Sequence, residues 1–118
     1  MWHGTKSLDP AVIFNSDRGF DHAMGHTGGM FGPGIYFSEN AYYSHANYGH
    51  TVPASELPAN EVKGAAPLQK IFLARVLAGD YKDFGSQYHN IRRPPEKAPF
   101  QKDRLHEFYD SVGMYSCM

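Results

Sequence analysis

The pattern of apolar and polar positions along the chain predicts a few short strands. Residues 68–78 form a nearly continuous apolar run, which is typical of a strand buried on both faces, and residues 79–80 end it. Residues 35–37, an aromatic and apolar run that follows a glycine, predict a second strand. Residues 114–115 predict a third strand near the end of the chain. Few elements are therefore expected, and the predicted core is small.

Two helices are predicted from the residues that begin and end them. Asp9 can cap a helix, Pro10 suits its first position and Gly19 can end it, so the first helix is expected between Asp9 and Gly19. Ser38 offers a cap for a second helix over residues 39–48. Strands and short helices in one chain indicate an α+β fold.

Two long segments predict loops. Residues 21–34 hold five glycines, and residues 50–67 show little periodicity. Long loops in compact domains often carry function. His22 and His26 are spaced like metal ligands on a helix, but the glycines around them argue against a helix. We interpret both as ordinary loop histidines.

Composition and charge restrict the function. A length of 118 residues suits one domain, and 42% hydrophobic with 19% charged residues indicates a globular chain. The net charge of −1 provides no field that would hold nucleic acid or a membrane surface, and Arg92-Arg93 is interpreted as a solvated loop pair. We expect no membrane span and no signal peptide. The lone Cys117 excludes an intrachain disulfide and fits an intracellular protein of the nucleus or cytoplasm.

Three features follow one another in a specific order. His3-Gly4-Thr5 comes first, a glycine-rich segment that ends in Gly-Ile-Tyr-Phe over residues 28–37 comes second, and Ser44 with Tyr48 on the second predicted helix comes third. Each feature alone is weak. Their order resembles the catalytic signature of poly(ADP-ribose) polymerases.

The resemblance extends over nearly the whole chain apart from residues 50–67. The tankyrase branch is similar in three segments, residues 19–21, 28–37 and 39–40. Segments of many family members resemble residues 92–97 and 108–112. The resemblance implies the ADP-ribosyltransferase fold, with mainly antiparallel sheets and short helices, as one partial domain over residues 1–118. It also implies NAD as substrate, a protein acceptor and release of nicotinamide.

The family pattern assigns roles to individual residues. By resemblance, Tyr36 and Tyr48 flank the nicotinamide ring, an arrangement that suits a flat cationic ring. The backbone of Gly4 and the hydroxyl of Ser44 would hold the carboxamide, and the missing Cβ of glycine permits a close approach.

The ribose of the adenosine half is the expected partner of His3. Thr5 is expected nearby, and His3 and Tyr36 are the predicted catalytic-site residues. Tankyrases carry a zinc site of three cysteines and a histidine beyond the second tyrosine. The corresponding region here has His50 and no cysteine, so no metal is expected.

Two departures from the family leave alternatives open. Ser44 and Tyr48 are four residues apart, where the family usually has three, and a shifted register would place His45 in the serine's position. Both spacings share a helix face, and Ser44 is preferred because its distance from Tyr36 matches the family.

The second departure concerns the glutamate that polymerising members carry in a late strand. Glu107, the last glutamate, comes too early, and Met114 would take the glutamate's place if the third predicted strand starts there. Single-unit and chain transfer therefore both stay open. Both ends look cut, so we expect a truncated domain. The alternative function is an inactive module that binds NAD or ADP-ribose, or a truncated fragment of such an enzyme.

Overall fold

The computed structural model describes residues 1–58, 66–85, 91–97 and 107–113. The chain divides into two compact units, unit 1 with Met1–Asp21 and Tyr36–Val76, and unit 2 with His22–Ile35 and Leu77–Met118. Within the described residues there are two α-helices, α1 (Pro10–Phe14) and α2 (Ala41–Tyr48). The strands are β1 (Trp2–His3), β2 (His26–Gly29), β3 (Gly32–Gly34), β4 (His50–Thr51), β5 (Gln69–Lys70), β6 (Phe72–Leu73), β7 (Tyr81–Asp83) and β8 (Ser111–Gly113).

These elements confirm the α+β class. The described strands pair as four two-stranded sheets, and the pairs β1–β6, β2–β3 and β4–β5 are antiparallel while β7–β8 is parallel. None of the helices in the described part of the chain is long and apolar enough to cross a membrane. The assignment of residues 1–118 to a single domain stays a prediction.

Helix α1 begins where the sequence predicts and ends earlier. The Asp9 carboxylate accepts a hydrogen bond from the Ala11 N–H at 2.9 Å, and Pro10 occupies the first turn. Asn15 ends the helix, so the prediction of an end at Gly19 is wrong. After Asn15 the Ser16 hydroxyl accepts from the Arg18 N–H at 3.2 Å, and such local bonds compete with further helical turns.

Helix α2 is capped by a different residue from the one predicted. The Asn40 side chain accepts hydrogen bonds from the N–H groups of Tyr42 at 2.9 Å and Tyr43 at 3.3 Å. Ser38 is not the cap, because its backbone pairs with Trp2 in an isolated bridge to β1. The helix therefore starts at Ala41 and not at residue 39.

The predicted strand over residues 68–78 is two short strands with different partners. β5 pairs with β4 and β6 pairs with β1, and Ile71 separates them. Burial on both faces is also wrong, because Leu73 is 70% exposed and Leu77 is 92% exposed. Each strand has a single neighbour in its two-stranded sheet, whereas a doubly buried run is typical of central strands.

Two further predictions are corrected in their boundaries. Residues 35–37 lie outside the strands, and the strand comes directly before them as β3. The predicted loop over residues 21–34 contains the β2–β3 hairpin and a short 3₁₀ turn at His22–Met24. The predicted loop at residues 50–67 contains β4 and a 3₁₀ turn at Ala54–Glu56, and its residues 59–65 lie outside the described part.

Unit 2 depends on a glycine at the start of β3. Gly32 has a φ of +85°, and a Cβ there would overlap the carbonyl oxygen of Ile91. A left-handed conformation and this contact both require glycine. Phe31 stacks on Phe84 with ring centroids 6.0 Å apart. The strand predicted at residues 114–115 lies outside the described residues.

Candidate functional site

The first predicted site residue, His3, is held by a hydrogen bond to Tyr36. Its Nδ1 lies 2.6 Å from the Tyr36 carbonyl oxygen, and the ring is partly buried. A carbonyl oxygen only accepts, so Nδ1 carries the hydrogen. In the neutral imidazole this fixes Nε2 as the acceptor nitrogen. The structure therefore brings His3 to the backbone of Tyr36, the other predicted catalytic-site residue.

Three phenylalanines surround the His3 ring. Its centroid lies 5.1 Å from that of Phe20, 5.3 Å from that of Phe37 and 6.4 Å from that of Phe72. Sequence reasoning missed this group, which we call the His3 ring cluster. The sequence held one partial signal, since Phe72 lies in the apolar run over residues 68–78; its strand, β6, pairs with β1 and puts Phe72 opposite His3.

Gly4 packs against the last turn of α2. A Cβ at this position would overlap the Tyr48 carbonyl oxygen and lie 2.6 Å from the Tyr48 Cβ. The glycine is therefore required by packing inside the protein. Neither the N–H nor the C=O of Gly4 has a hydrogen-bond partner among the residues that the structure describes. No protein group of the described chain therefore competes with a ligand for these two groups.

Ser44 is the most buried polar residue of the described chain, at 3% exposure. Its Oγ donates to the carbonyl oxygen of Trp2 at 3.2 Å, which ties α2 to β1 next to His3. The hydroxyl keeps acceptor capacity after this donation. His45, the alternative to Ser44, is exposed. Burial beside β1 therefore distinguishes Ser44 from His45.

Tyr48 contacts a second tyrosine that sequence reasoning gave no role. The rings of Tyr43 and Tyr48 have centroids 5.9 Å apart, and Tyr48 is 42% exposed. A hydrogen bond with the Tyr48 phenol raises the pKa of Tyr43, and partial burial and the charge of Tyr48 act in the same direction. The Tyr43 ring therefore lies beside the ring that is predicted to stack on the ligand.

Thr5 belongs to a local turn. Its hydroxyl donates to the Leu8 carbonyl oxygen at 2.6 Å. Lys6 follows with a φ of +54° and donates its N–H to the Tyr48 carbonyl oxygen at 2.8 Å. The hydroxyl of Thr5 thus shapes the segment after Gly4, and the turn connects that segment to the end of α2.

The remaining candidates lie apart from this group in the chain. His22 is in the 3₁₀ turn of unit 2 and His26 is in β2. Over the described ranges, no group of three or more His, Cys, Asp or Glu residues is placed to hold a metal ion. The Arg93 guanidinium lies 4.4 Å from the centroid of the Phe108 ring, a cation–π contact within unit 2.

Comparison with known proteins identifies similar sequences. A family model described as the poly(ADP-ribose) polymerase catalytic domain matches residues 1–111. A probable poly(ADP-ribose) polymerase of Dictyostelium discoideum is 39% identical over 80 residues, which are 68% of this chain and 20% of that protein. The protein mono-ADP-ribosyltransferases PARP11 of Mus musculus and Homo sapiens are each 32% identical over 105 residues, 82% of this chain and 30% and 29% of theirs. The chain thus spans less than a third of these relatives, and no solved structure matches it.

Proposed function

The chain belongs to the poly(ADP-ribose) polymerase catalytic-domain family, and from this premise we propose that it transfers ADP-ribose from NAD to a protein acceptor and releases nicotinamide. The main support for the proposal is the family match over residues 1–111. Five residues of the signature also lie in the same compact unit, unit 1: His3, Gly4, Tyr36, Ser44 and Tyr48. The proposal includes the ADP-ribosyltransferase fold for the whole domain. It also includes an intracellular location, which the lone cysteine supports.

The nicotinamide half would be held by Gly4, Ser44 and the tyrosines. Gly4 offers an N–H and a C=O with no protein partner in the described chain, and a carboxamide needs one acceptor and one donor in return. Ser44 supplies a buried hydroxyl fixed to β1. Tyr48, and Tyr36 by resemblance, would offer ring faces to the pyridinium, whose positive charge is attracted to an aromatic face.

The ribose of the adenosine half would be held by His3. With its Nδ1 hydrogen donated to the Tyr36 carbonyl, the neutral ring offers the Nε2 lone pair to a ribose hydroxyl. Thr5 would contribute through the turn that follows Gly4, because its hydroxyl bonds Leu8. Both halves of NAD would then be fixed from one unit.

The reaction proposed for this site breaks the bond between the nicotinamide nitrogen and C1′ of its ribose. The electron pair leaves with nicotinamide, C1′ develops the character of an oxocarbenium ion, and an acceptor oxygen or nitrogen attacks and loses its proton. Holding the ring and both riboses in one orientation lowers the barrier, since the reacting groups lose no further freedom at the transition state. The first transfer is the same whether one unit or a chain is added.

The proposal is tested by thermal unfolding of the chain with and without benzamide, a flat carboxamide, followed by nicotinamide release from NAD in the same sample. We expect benzamide to raise Tm, because a ligand that binds the native state stabilises it. Tyr48→Ala removes one stacking face, worth about 1 kcal/mol, so benzamide should bind about fivefold more weakly. Tyr42→Ala is the matched control, since Tyr42 lies on the same helix and is 75% exposed.

Each outcome of this experiment has a distinct meaning. A benzamide-dependent rise in Tm with nicotinamide release supports the transferase. A rise without release supports the alternative, a module that binds NAD or ADP-ribose without turnover. No rise at saturating benzamide, or equal effects of Tyr48→Ala and Tyr42→Ala, contradicts the proposed site.

A further inference from the structure

A hydrogen bond to one ring nitrogen does not fix an imidazole completely. The bond from His3 Nδ1 to the Tyr36 carbonyl sets the position of one atom and the tautomer. The ring can still tilt around this point, and a tilt moves Nε2, the nitrogen on the far side of the ring. A nitrogen that must meet a ribose hydroxyl needs the plane of the ring to be fixed as well.

Phe20 has the geometry to fix that plane. Its ring meets the His3 ring nearly at a right angle, 81° between planes, with centroids 5.1 Å apart. This is the edge-to-face arrangement that aromatic rings favour. By contrast, Phe37 and Phe72 are tilted by 47° and 39° to the imidazole, and Phe72 is the more distant at 6.4 Å.

Phe20 is itself held by the other members of the His3 ring cluster. It contacts Phe37 at 5.2 Å and 72°, and Phe72 at 5.1 Å and 71°. Phe37 follows the tyrosine that accepts the His3 hydrogen bond, and Phe72 is opposite His3 across the β1–β6 pair. Phe20 thus joins a third chain segment to the two that hold His3.

The local sequence explains how Phe20 reaches this position. Gly19 has a φ of +56°, a left-handed conformation that turns the chain directly before Phe20. A Cβ on Gly19 would meet nothing within 4 Å, so glycine is favoured here by its backbone freedom alone. The Arg18 guanidinium bonds the Asp21 carboxylate at 3.2 Å, which closes the segment around Phe20.

We propose that Phe20 is a positioning residue for His3, because its edge-to-face contact holds the imidazole in the plane from which Nε2 meets the substrate ribose. The inference rests on the proposed function, since it assigns the ribose contact to His3. Phe20 itself need not touch the substrate. Its loss should therefore weaken ligands that contain the adenosine ribose and leave the carboxamide site intact.

The experiment compares Phe20→Leu, Phe20→Tyr and Phe14→Leu with the unchanged chain. Leucine keeps an apolar side chain without a flat ring, tyrosine keeps the ring, and Phe14 is a matched control because it is 79% exposed. Calorimetry measures binding of ADP-ribose and, separately, of benzamide. Nitrogen NMR of the His3 imidazole in the ligand-free chain, with His3→Gln for assignment, reports the tautomer and contacts with the Phe20 ring protons.

The expected results separate positioning from simple destabilisation. Phe20→Leu should weaken ADP-ribose about fivefold, the worth of one imperfect hydrogen bond, and leave benzamide affinity unchanged. Its His3 ring should keep the Nδ1–H tautomer that the Tyr36 carbonyl sets, while its contacts with the Phe37 and Phe72 rings change as the imidazole tilts. Phe20→Tyr should restore ADP-ribose affinity, and Phe14→Leu should change neither ligand.

The opposite results would overturn the inference. One such result is that Phe20→Leu binds ADP-ribose as tightly as the unchanged chain does. The other is that Phe20→Leu loses as much affinity for benzamide as for ADP-ribose. If Phe20→Leu does not fold, the unchanged chain decides: nuclear Overhauser contacts that hold the His3 ring edge-on to the Phe20 ring support the inference, and absence of these contacts refutes it whatever the tautomer. Failure of the proposed function is distinguishable, since it appears as no binding of either ligand to the unchanged chain.

Discussion

Substituting Gly4 by alanine places a methyl group against the backbone at the end of α2. The new Cβ would lie 2.5 Å from the Tyr48 carbonyl carbon and 2.6 Å from its Cβ, where ordinary contact begins at 3.4 Å. No rotation of a side chain relieves contacts with a carbonyl group. The chain must move by about an ångström, either at Gly4 or at Tyr48.

The expected cost follows from two contributions. Forcing a methyl group into a packed site costs about 1–3 kcal/mol. The same movement breaks the hydrogen bond from the Lys6 N–H to the Tyr48 carbonyl, 2.8 Å in length, which adds about 1 kcal/mol. A total of roughly 2–4 kcal/mol should lower Tm by about 10 °C in a chain of this size.

Circular dichroism on heating measures this effect, and Gly34→Ala is the matched control. A Cβ at Gly34 meets nothing within 4 Å, so that substitution should change stability by at most about 0.5 kcal/mol. Gly4→Ala should also weaken benzamide, because Tyr48 is displaced. If both variants unfold at the same temperature, the packing of Gly4 against α2 is refuted.

Three further predictions concern neighbouring residues. Ser44→Ala should lower the free energy of unfolding by only about 0.5–1 kcal/mol in chemical denaturation, because the Trp2 carbonyl still accepts a backbone N–H. The variant should nevertheless lose more affinity for benzamide than for ADP-ribose. Equal losses of affinity would refute the carboxamide role of Ser44. Tyr48→Phe should lower the raised pKa of Tyr43 toward 10.0 in a carbon NMR titration. A raised tyrosine pKa contributes stability that is fully present below pH about 10 and is lost as the pH rises through the pKa of the folded state. The variant should therefore lose less stability at alkaline pH than the unchanged chain. An unchanged Tyr43 titration would refute the hydrogen bond. Gly19→Ala should lower the free energy of unfolding by about 1 kcal/mol, and Gly19→Asn should lower it by less, because asparagine tolerates a left-handed conformation better. Equal stabilities of the two variants would refute the left-handed turn.

Local signals in the sequence predicted the start of α1, whereas the strand pairs depend on contacts between distant segments. Asp9 and Pro10 act on the backbone beside them, so their effect is visible in sequence. The run over residues 68–78 was misinterpreted because hydrophobicity does not specify a partner: β5 and β6 pair with different strands. Leu73 follows Phe72 in β6, so its side chain lies on the sheet face opposite the His3 ring cluster, where it is exposed.

In the candidate site, too, local features could be predicted from the sequence and contacts between distant segments could not. Ser44 could be preferred over His45 from its spacing to Tyr36, and the structure places Ser44 in the buried position next to β1. Gly4 was expected to admit a ligand, and the structure adds a packing reason, since Tyr48 occupies the space of its Cβ. Phe20 was missed because its partners come from distant segments, and no periodic pattern connects them to it.

The proposed function depends on a nicotinamide site in unit 1, built by Gly4, Ser44 and Tyr48. The most direct measurement is an amide NMR titration of the chain with benzamide. We expect saturable shifts at these residues with one shared dissociation constant, and no shared saturation at Gly19, which lies outside the proposed carboxamide contacts. Absence of saturable shifts at Gly4 and Ser44, with benzamide binding elsewhere or not at all, would contradict it.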